Sequence, residues 1–427
     1  MGGNAFKNLL PDASFPRMSP ALYGALKARL IPILQELYTH VAVSPECPGK
    51  IDHGDLDFVV SEPREGLTLG EVKSALRATC SVPMEGNRTS NYAIPLDAFE
   101  DVALMYASTG DGDEATELTT GDGKFFQVDV NVCEDRAQWE RTVFYTSYGD
   151  LGFFLGLLAQ TAGLSFNIFG LKLAEPIETS PPRTYYLSTS MRDIVAFFGL
   201  SMHRWEQGFA SQEDIFRWIT TSPFALPLLT RYRSADYKSS AKERADTRPM
   251  RIDFIRFLRN TTFQPLVTDT SSPFSSSGDY DKKLDAALKH FGKDREHAAL
   301  RYVGQAQRRA REILNGKTVQ QWTGVQGMPV RFIMDEVKDR LSDTSPCPDE
   351  VPGAKDVPAW QVALLRMSDA EVRTLVVEVK EEMAQDGRLS FDWRAAKAAK
   401  EEKKRQKDSV EGGLTETHEH VVAVAAS

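Results

Sequence analysis

The stretch that decides the fold is His53-Gly54-Asp55-Leu56-Asp57-Phe58-Val59-Val60. Two carboxylates two residues apart run into an apolar, β-branched and aromatic segment. Side chains i and i+2 of a strand share a face, so a strand over 54–61 sets Asp55 and Asp57 side by side. Like charges this close repel unless a cation lies between them, and Mg²⁺ is a hard, oxygen-seeking ion suited to that place. A second stretch, Phe125-Phe126-Gln127-Val128-Asp129-Val130-Asn131-Val132, predicts a strand over 124–132 whose single acid is Asp129. Set beside the first strand, Asp129 completes three carboxylates, enough for two Mg²⁺ ions and in-line phosphoryl transfer.

At 427 residues the chain is long enough for two or three domains. Its 41% hydrophobic and 26% charged content is that of a soluble globular protein. A net charge of −9 argues against polynucleotide binding over the whole surface and leaves only local patches for it. The four cysteines, Cys47, Cys80, Cys133 and Cys347, contain no C-x-x-C pair. That spacing argues against a zinc site or a disulfide framework, and for reduced thiols in an intracellular protein, cytoplasmic or nuclear. No apolar run approaches a membrane span, so no membrane partner is expected, and residues 1–6 lack the apolar core of a signal peptide.

Local patterns divide the chain. Residues 1–37 form an N-terminal segment with a helix opened by Ser19-Pro20 and carrying Leu22, Leu26, Leu30 and Leu34; Pro32 inside it predicts a kink or a break. Residues 38–143 hold the two acidic strands, a strand from Thr39 to Val43, a loop from Ser44 to Lys50 and a Thr-capped helix from Thr68 to Ala78. Within the same range, residues 80–91 read as loop, Asn91 to Leu96 as strand, Asp97 to Ser108 as helix and 109–123 as a glycine-rich turn. A helix over Asp135 to Phe144 ends it. Residues 144–230 contain helices at Asp150 to Ala162, Ser190 to Phe198 and Ser211 to Thr220, with the chain broken at Pro223 to Pro227. Residues 231–285 are a Ser/Thr/Asp-rich connection around one helix near Ile252 to Leu258. A helical region over 286–395 follows, with helices at Asp281 to Leu314, Val330 to Leu341 and Ser368 to Ala384. The charged tail, 396–427, is expected to be disordered.

The segment Ser44 to Val59 resembles the signature of polymerase-β-like nucleotidyltransferases, a Gly-Ser turn, a basic loop ending Gly-Lys, then Gly-Asp-x-Asp. Ser44, Gly49-Lys50 and Gly54-Asp55-Leu56-Asp57 fall in that order, and Val128-Asp129-Val130 is similar to the family's third-carboxylate strand. Phe144-Tyr145-Thr146-Ser147-Tyr148 resembles the hinge of family X DNA polymerases. Leu151 to Ser165 and Asp193 to Leu200 are similar to helical segments that follow it. The likeness covers residues 38–205. It implies an α/β (α+β) fold, with a small mixed-sheet palm domain followed by a mostly helical C-terminal region. It also implies template-independent, Mg²⁺- or Mn²⁺-dependent transfer of a nucleoside monophosphate. The donor is an NTP such as ATP, or a dNTP; the acceptor is a hydroxyl of RNA, a protein or a small molecule. Ile313 to Lys317 with Gly324 to Val337 is similar to a helical region of CCA-adding enzymes.

The resemblance assigns roles residue by residue. Asp55, Asp57 and Asp129 would hold the metal ions, and Asp129 would also accept the proton of the attacking hydroxyl. Ser44 would donate to the triphosphate, Lys50 would neutralise phosphate charge, Gly54 belongs to the acidic signature, and Tyr145 and Thr146 would form the hinge beside the sugar. Departures accompany these matches. Val43 replaces the glycine before Ser44, and Gly152 and Gly156 stand where the family has an Asn and an Arg that help hold the nucleotide. They support an alternative, a degenerate fold acting as a binding or scaffold module. A second alternative is a nucleic-acid-binding protein using Arg308 to Arg311 and Lys397 to Lys407. His53 reads as a loop histidine, Gly2-Gly3 as N-terminal loop, and His418-Glu419-His420 as part of the tail.

Overall fold

The structure is a computed structural model. It describes residues 4–83, 88–108, 123–238, 248–260, 273–275, 280–344 and 354–390. Most of the 109–123 turn, much of the 231–285 connection and the whole tail with Lys397 to Lys407 and His418 to His420 lie outside these residues. The fold is α/β, a mixed five-stranded sheet with many helices and a helical C-terminal region. Contacts divide the chain into two units, one of residues 1–176 with 184–294, the other of 177–183 with 295–427.

The first unit is built on the sheet β1 (Tyr38–Ala42), β2 (Leu56–Pro63), β3 (Cys80–Pro83), β4 (Thr89–Pro95) and β5 (Phe125–Cys133), in the order β1-β2-β5-β4-β3. Only the central β2–β5 pair is parallel; the others are antiparallel. One face is apolar. Leu56, Phe58, Val60, Tyr92, Ile94, Phe126, Val128 and Val130 are buried against Leu22, Leu26, Leu30 and Leu34 of helix α1 (Pro20–Gln35). Ser19 caps α1 and Pro20 starts it, as the sequence suggests. The helix runs on past Pro32 without a break. The fully buried Leu30 and Leu34 on either side hold it to the sheet, and tertiary packing outweighs one missing donor.

The segment read as loop, 80–91, supplies β3 and the start of β4. Cys80–Pro83 has no clean alternation, and Pro83 is tolerated because β3 is an edge strand. Helices α2 (Leu69–Ala75) and α3 (Glu100–Ser108) complete the apolar side. On the other side of the sheet runs α4 (Arg136–Tyr145), whose Trp139 Nε1 donates to the Val59 carbonyl at 2.9 Å.

A short turn leads to α5 (Leu151–Gln160) and a three-stranded antiparallel sheet of β6 (Leu164–Asn167), β7 (Gly170–Leu173) and β8 (Tyr186–Ser188). Then come α6 (Met191–Phe197), α7 (Met202–Gln207), α8 (Gln212–Thr220), α9 (Ala225–Arg233), α10 (Pro249–Arg259) and α11 (Tyr280–His290). Pro227 does not break the chain there. It falls in the first turn of α9, where a missing N–H costs nothing. The long helix expected from Asp281 is interrupted at Gly292, which takes a left-handed φ of 63° between α11 and α12 (Asp294–Ile313).

The second unit packs most of α12 with α13 (Gly316–Thr323), α14 (Met328–Thr344), α15 (Ala359–Arg366) and α16 (Asp369–Gln385). Its core includes Ile313, Val319, Ile333, Val337, Leu364, Val372, Val376 and Val379. No helix among the described residues is long and apolar enough to cross a membrane.

Gly152 illustrates how closely the start of α5 is packed. A Cβ there would sit 2.6 Å from both the ring and the carbonyl oxygen of Tyr145. Overpacking of this kind costs about 1–3 kcal/mol, more than the ~1 kcal/mol that alanine gains over glycine in a helix. Gly152→Ala is therefore expected to lower the midpoint of urea denaturation; an unchanged or raised midpoint would refute the packing argument.

Candidate functional site

The parallel register pairs Asp57 of β2 with Asp129 of β5, and the next pairing across the sheet sets Asn91 of β4 opposite Asp129. Asn91, Asp129 and Asp57 thus form a row over three adjacent strands, on the face opposite the α1 core. Asp55 lies one residue before β2, so it approaches the row from the loop rather than from the strand expected for it. Gly54 precedes it in that loop.

Asn91 and Gln127 are buried, and both aim their amides at Asp129. Asn91 Nδ2 donates to Asp129 Oδ1 at 2.6 Å, and Gln127 Nε2 donates to Oδ1 at 3.0 Å and Oδ2 at 3.1 Å. Burial pushes the Asp129 carboxyl above its ordinary pKa; the two amides pull it down and Asp55 pushes it up, with a net rise. Asp57 is exposed, with Asp55, Asp129 and Glu46 close enough to act on its charge. Its pKa is raised to about 7, first by loss of hydration and then by repulsion from Asp55, Asp129 and Glu46. Water that reaches the carboxyl screens part of this repulsion.

The loop from Ser44 to Asp55 is tied down on two sides. His53 pairs with Met18 through two backbone hydrogen bonds of 2.8 Å, and its buried ring stacks on Tyr23 at 3.7 Å. Arg17 pairs with Asp52 at 2.6 Å. Glu46 accepts from the Tyr23 hydroxyl at 2.7 Å and from Lys50 at 2.9 Å. Burial raises the Glu46 pKa, but Lys50 and Tyr23 outweigh it and hold the carboxylate below its ordinary range. Lys50 therefore rests on Glu46 in this structure.

On the other side, the Ser44 and Thr146 hydroxyls lie 2.6 Å apart. Thr146 gives its proton to the Thr142 carbonyl at 2.8 Å, so Ser44 is the donor to Thr146. The Tyr148 N–H donates to the Pro45 carbonyl at 2.6 Å. Tyr148 and Gly149 both take left-handed φ angles, 51° and 76°, and a tyrosine in that region is strained. The Tyr148 hydroxyl, donating to the Trp205 carbonyl at 3.0 Å, and the Trp205 indole on Ser147 at 2.8 Å hold the turn in place. Buried Asp150 then receives Arg251 Nε at 2.7 Å and Arg248 Nη1 at 3.0 Å. Tyr145 is half-buried, its ring 5.5 Å from that of Phe166, while Thr146 is exposed.

The structure thus brings together Asp55, Asp57 and Asp129, and separately joins Ser44 to the Tyr145-Thr146 turn. Sequence reasoning missed Glu46, Asn91, Gln127 and Tyr23. Asn91 and Gln127 carried a signal, as polar residues inside predicted strands. No protein-family model matches this chain, and no curated protein matches it.

The raised pKa values set a pH dependence. A carboxyl whose folded pKa lies above its unfolded value binds its proton more readily in the folded state. Stability is then greatest below the unfolded pKa and is lost as pH rises toward the folded one. For Asp57 that window runs from about 4 to about 7. Asp57→Asn is expected to be more stable than the wild type at pH 8, by about 1 kcal/mol once solvent screening is allowed for. The difference should shrink toward pH 4. Chemical denaturation of both proteins at several pH values measures it; a variant less stable at pH 8 would contradict the repulsion.

Proposed function

We propose that the first unit is a template-independent nucleotidyltransferase: an acceptor hydroxyl oxygen bonds to the α-phosphorus of an NTP or dNTP, the α–β phosphoanhydride bond breaks, and pyrophosphate leaves. The observation that carries this reading is the Asp57–Asp129 register, which sets two carboxylates side by side with Asp55 close enough to raise the Asp57 pKa. The donor set is all-oxygen, anionic and self-repelling, which suits Mg²⁺ or Mn²⁺. Among the described residues no group of three or more His, Cys, Asp or Glu side chains is placed to hold a metal ion. Mg²⁺ is commonly held by one or two carboxylates, with phosphate oxygens and water filling the shell, so the nucleotide's own phosphates are required to complete the site. Asp55 and Asp57 would hold the ion, which when bound would neutralise charge on the transferred phosphoryl group.

Asp129 has a different task. Its Oδ1 accepts two amide hydrogen bonds but its Oδ2 only one, which leaves Oδ2 able to take the acceptor's hydroxyl proton. Its raised pKa makes it a stronger base than an exposed aspartate. Ser44 would turn its proton from Thr146 to a phosphate oxygen. Lys50 would exchange Glu46 for the same group; an exposed ion pair of this kind is worth only about 0–1 kcal/mol and yields to a stronger anion.

The scaffold reading also has observations in its favour. Val43 precedes Ser44, Lys50 is engaged by Glu46, and Gly152 accommodates Tyr145 in place of a nucleotide-holding side chain. For the nucleic-acid reading, Arg308 pairs with Glu178 at 2.6 Å and Arg309 with Asp369 at 2.7 Å, surface pairs that would yield to a phosphate as Lys50–Glu46 would, and Lys397 to Lys407 lie outside the described residues.

Isothermal titration with ATP and other nucleotides, with Mg²⁺ or with EDTA, tests the reading. Affinity should require the divalent ion and weaken in Asp57→Asn. Equal affinity in EDTA would favour the scaffold. In single-turnover assays with labelled nucleotide, Asp129→Asn should keep affinity within a few-fold and lower transfer by about a hundredfold, the usual scale for a lost general base. Near-normal transfer by Asp129→Asn would refute its assigned role.

A further inference from the structure

Away from the aspartates, the first unit contains a cavity of about 210 Å³ between α5, α9 and α11. That is far more than the ~15 Å³ needed to seat one water. At its floor is Lys283, only 2% exposed. The ammonium donates to the Thr161 carbonyl at 3.0 Å and lies 5.9 Å from the centre of the Tyr280 ring. Among the described residues no carboxylate pairs with it, and burial alone lowers its pKa.

A buried charge normally finds an opposite charge, because leaving water costs several kcal/mol per ion. The Thr161 carbonyl, at the C-terminal end of α5, offsets part of that cost. It uses one of the three ammonium protons and leaves two for another acceptor. Arg231 and Gln160 line the same cavity, and among the described residues that line it none is acidic; Arg231 also has a partner of its own. Leu157, Pro227 and Leu228 give it an apolar wall, and Tyr280, 60% exposed, marks its mouth.

We propose that this cavity binds a small organic phosphate, its dianionic head on Lys283 and Arg231 and its body against Leu157, Pro227 and Leu228. A dianionic head can accept from the buried Lys283 ammonium and from Arg231 at once, which a monoanion does less well. The apolar wall distinguishes such an ester from free phosphate. The site is separate from the Asp55, Asp57 and Asp129 cluster and does not depend on its proposed activity.

Calorimetric titration of the full chain with phenyl phosphate in EDTA tests the proposal, with benzoate and inorganic phosphate as parallel probes. Phenyl phosphate should give a saturable one-to-one isotherm, tighter than either other probe. Lys283→Met should weaken it about tenfold or more. Arg231→Gln, an exposed substitution that spares the core, should weaken it several-fold. Asp57→Asn should leave it unchanged. Lys283→Met, relieved of a buried charge, should melt no lower than the wild type without ligand. Absence of a saturable isotherm would overturn the proposal. So would equal binding of benzoate, an isotherm that survives in both Lys283→Met and Arg231→Gln, or one lost in Asp57→Asn.

Discussion

The parallel pairing of β2 with β5 sets Asp57 beside Asp129, and the rest of the site depends on that contact. By itself the juxtaposition is unfavourable. Two carboxylates a few ångströms apart near a surface repel by roughly 1–4 kcal/mol. The opposite face of the same strands decides the balance. Leu56, Phe58, Val60, Val128 and Val130 are almost wholly buried there, each contributing about 1.5–3 kcal/mol of hydrophobic stabilisation. Because side chains alternate, the register that buries this face also brings the acids together on the other. The apolar core holds the acids where they would not gather by themselves.

Asn91 and Gln127 temper the arrangement. Their amides hold Asp129 in one orientation and offset part of its burial, while Asp57 has no such donor among the described residues and carries the larger rise in pKa. The asymmetry separates the two carboxylates chemically although they are neighbours on the sheet. One is fixed by hydrogen bonds; the other is poised to gain most from a cation.

The loop between β1 and β2 has little regular structure, yet it is anchored at both flanks. Met18, Tyr23 and Arg17 hold it toward α1, and Thr146 and Tyr148 hold it toward the turn after α4. The strained φ at Tyr148 is sustained by contacts to Pro45 and Trp205. Any movement of the turn would therefore be felt at Ser44, and through the loop at Asp55.

Much of this was legible in the chain itself. The leucines of α1 at spacings of four, the apolar alternation around Asp57 and Asp129, and the Ser and Asp caps are local signals, written within a dozen residues. The mixed sheet with a helical C-terminal region is implied by the resemblance over residues 38–205, not by these local signals. What the chain could not disclose is which strands are neighbours and in what register. Asn91 and Asp129 are 38 positions apart and Ser44 and Thr146 are 102 apart, so no periodicity links them. Cys80–Pro83 became a strand because β4 offered a partner, and Pro227 entered a helix because its position in the first turn needed no donor. Lys283 reads as one more lysine on an amphipathic helix until α5 and α9 close over it. Local pattern sets which elements form, but only the packing of distant elements decides which charges become neighbours and which lose their water.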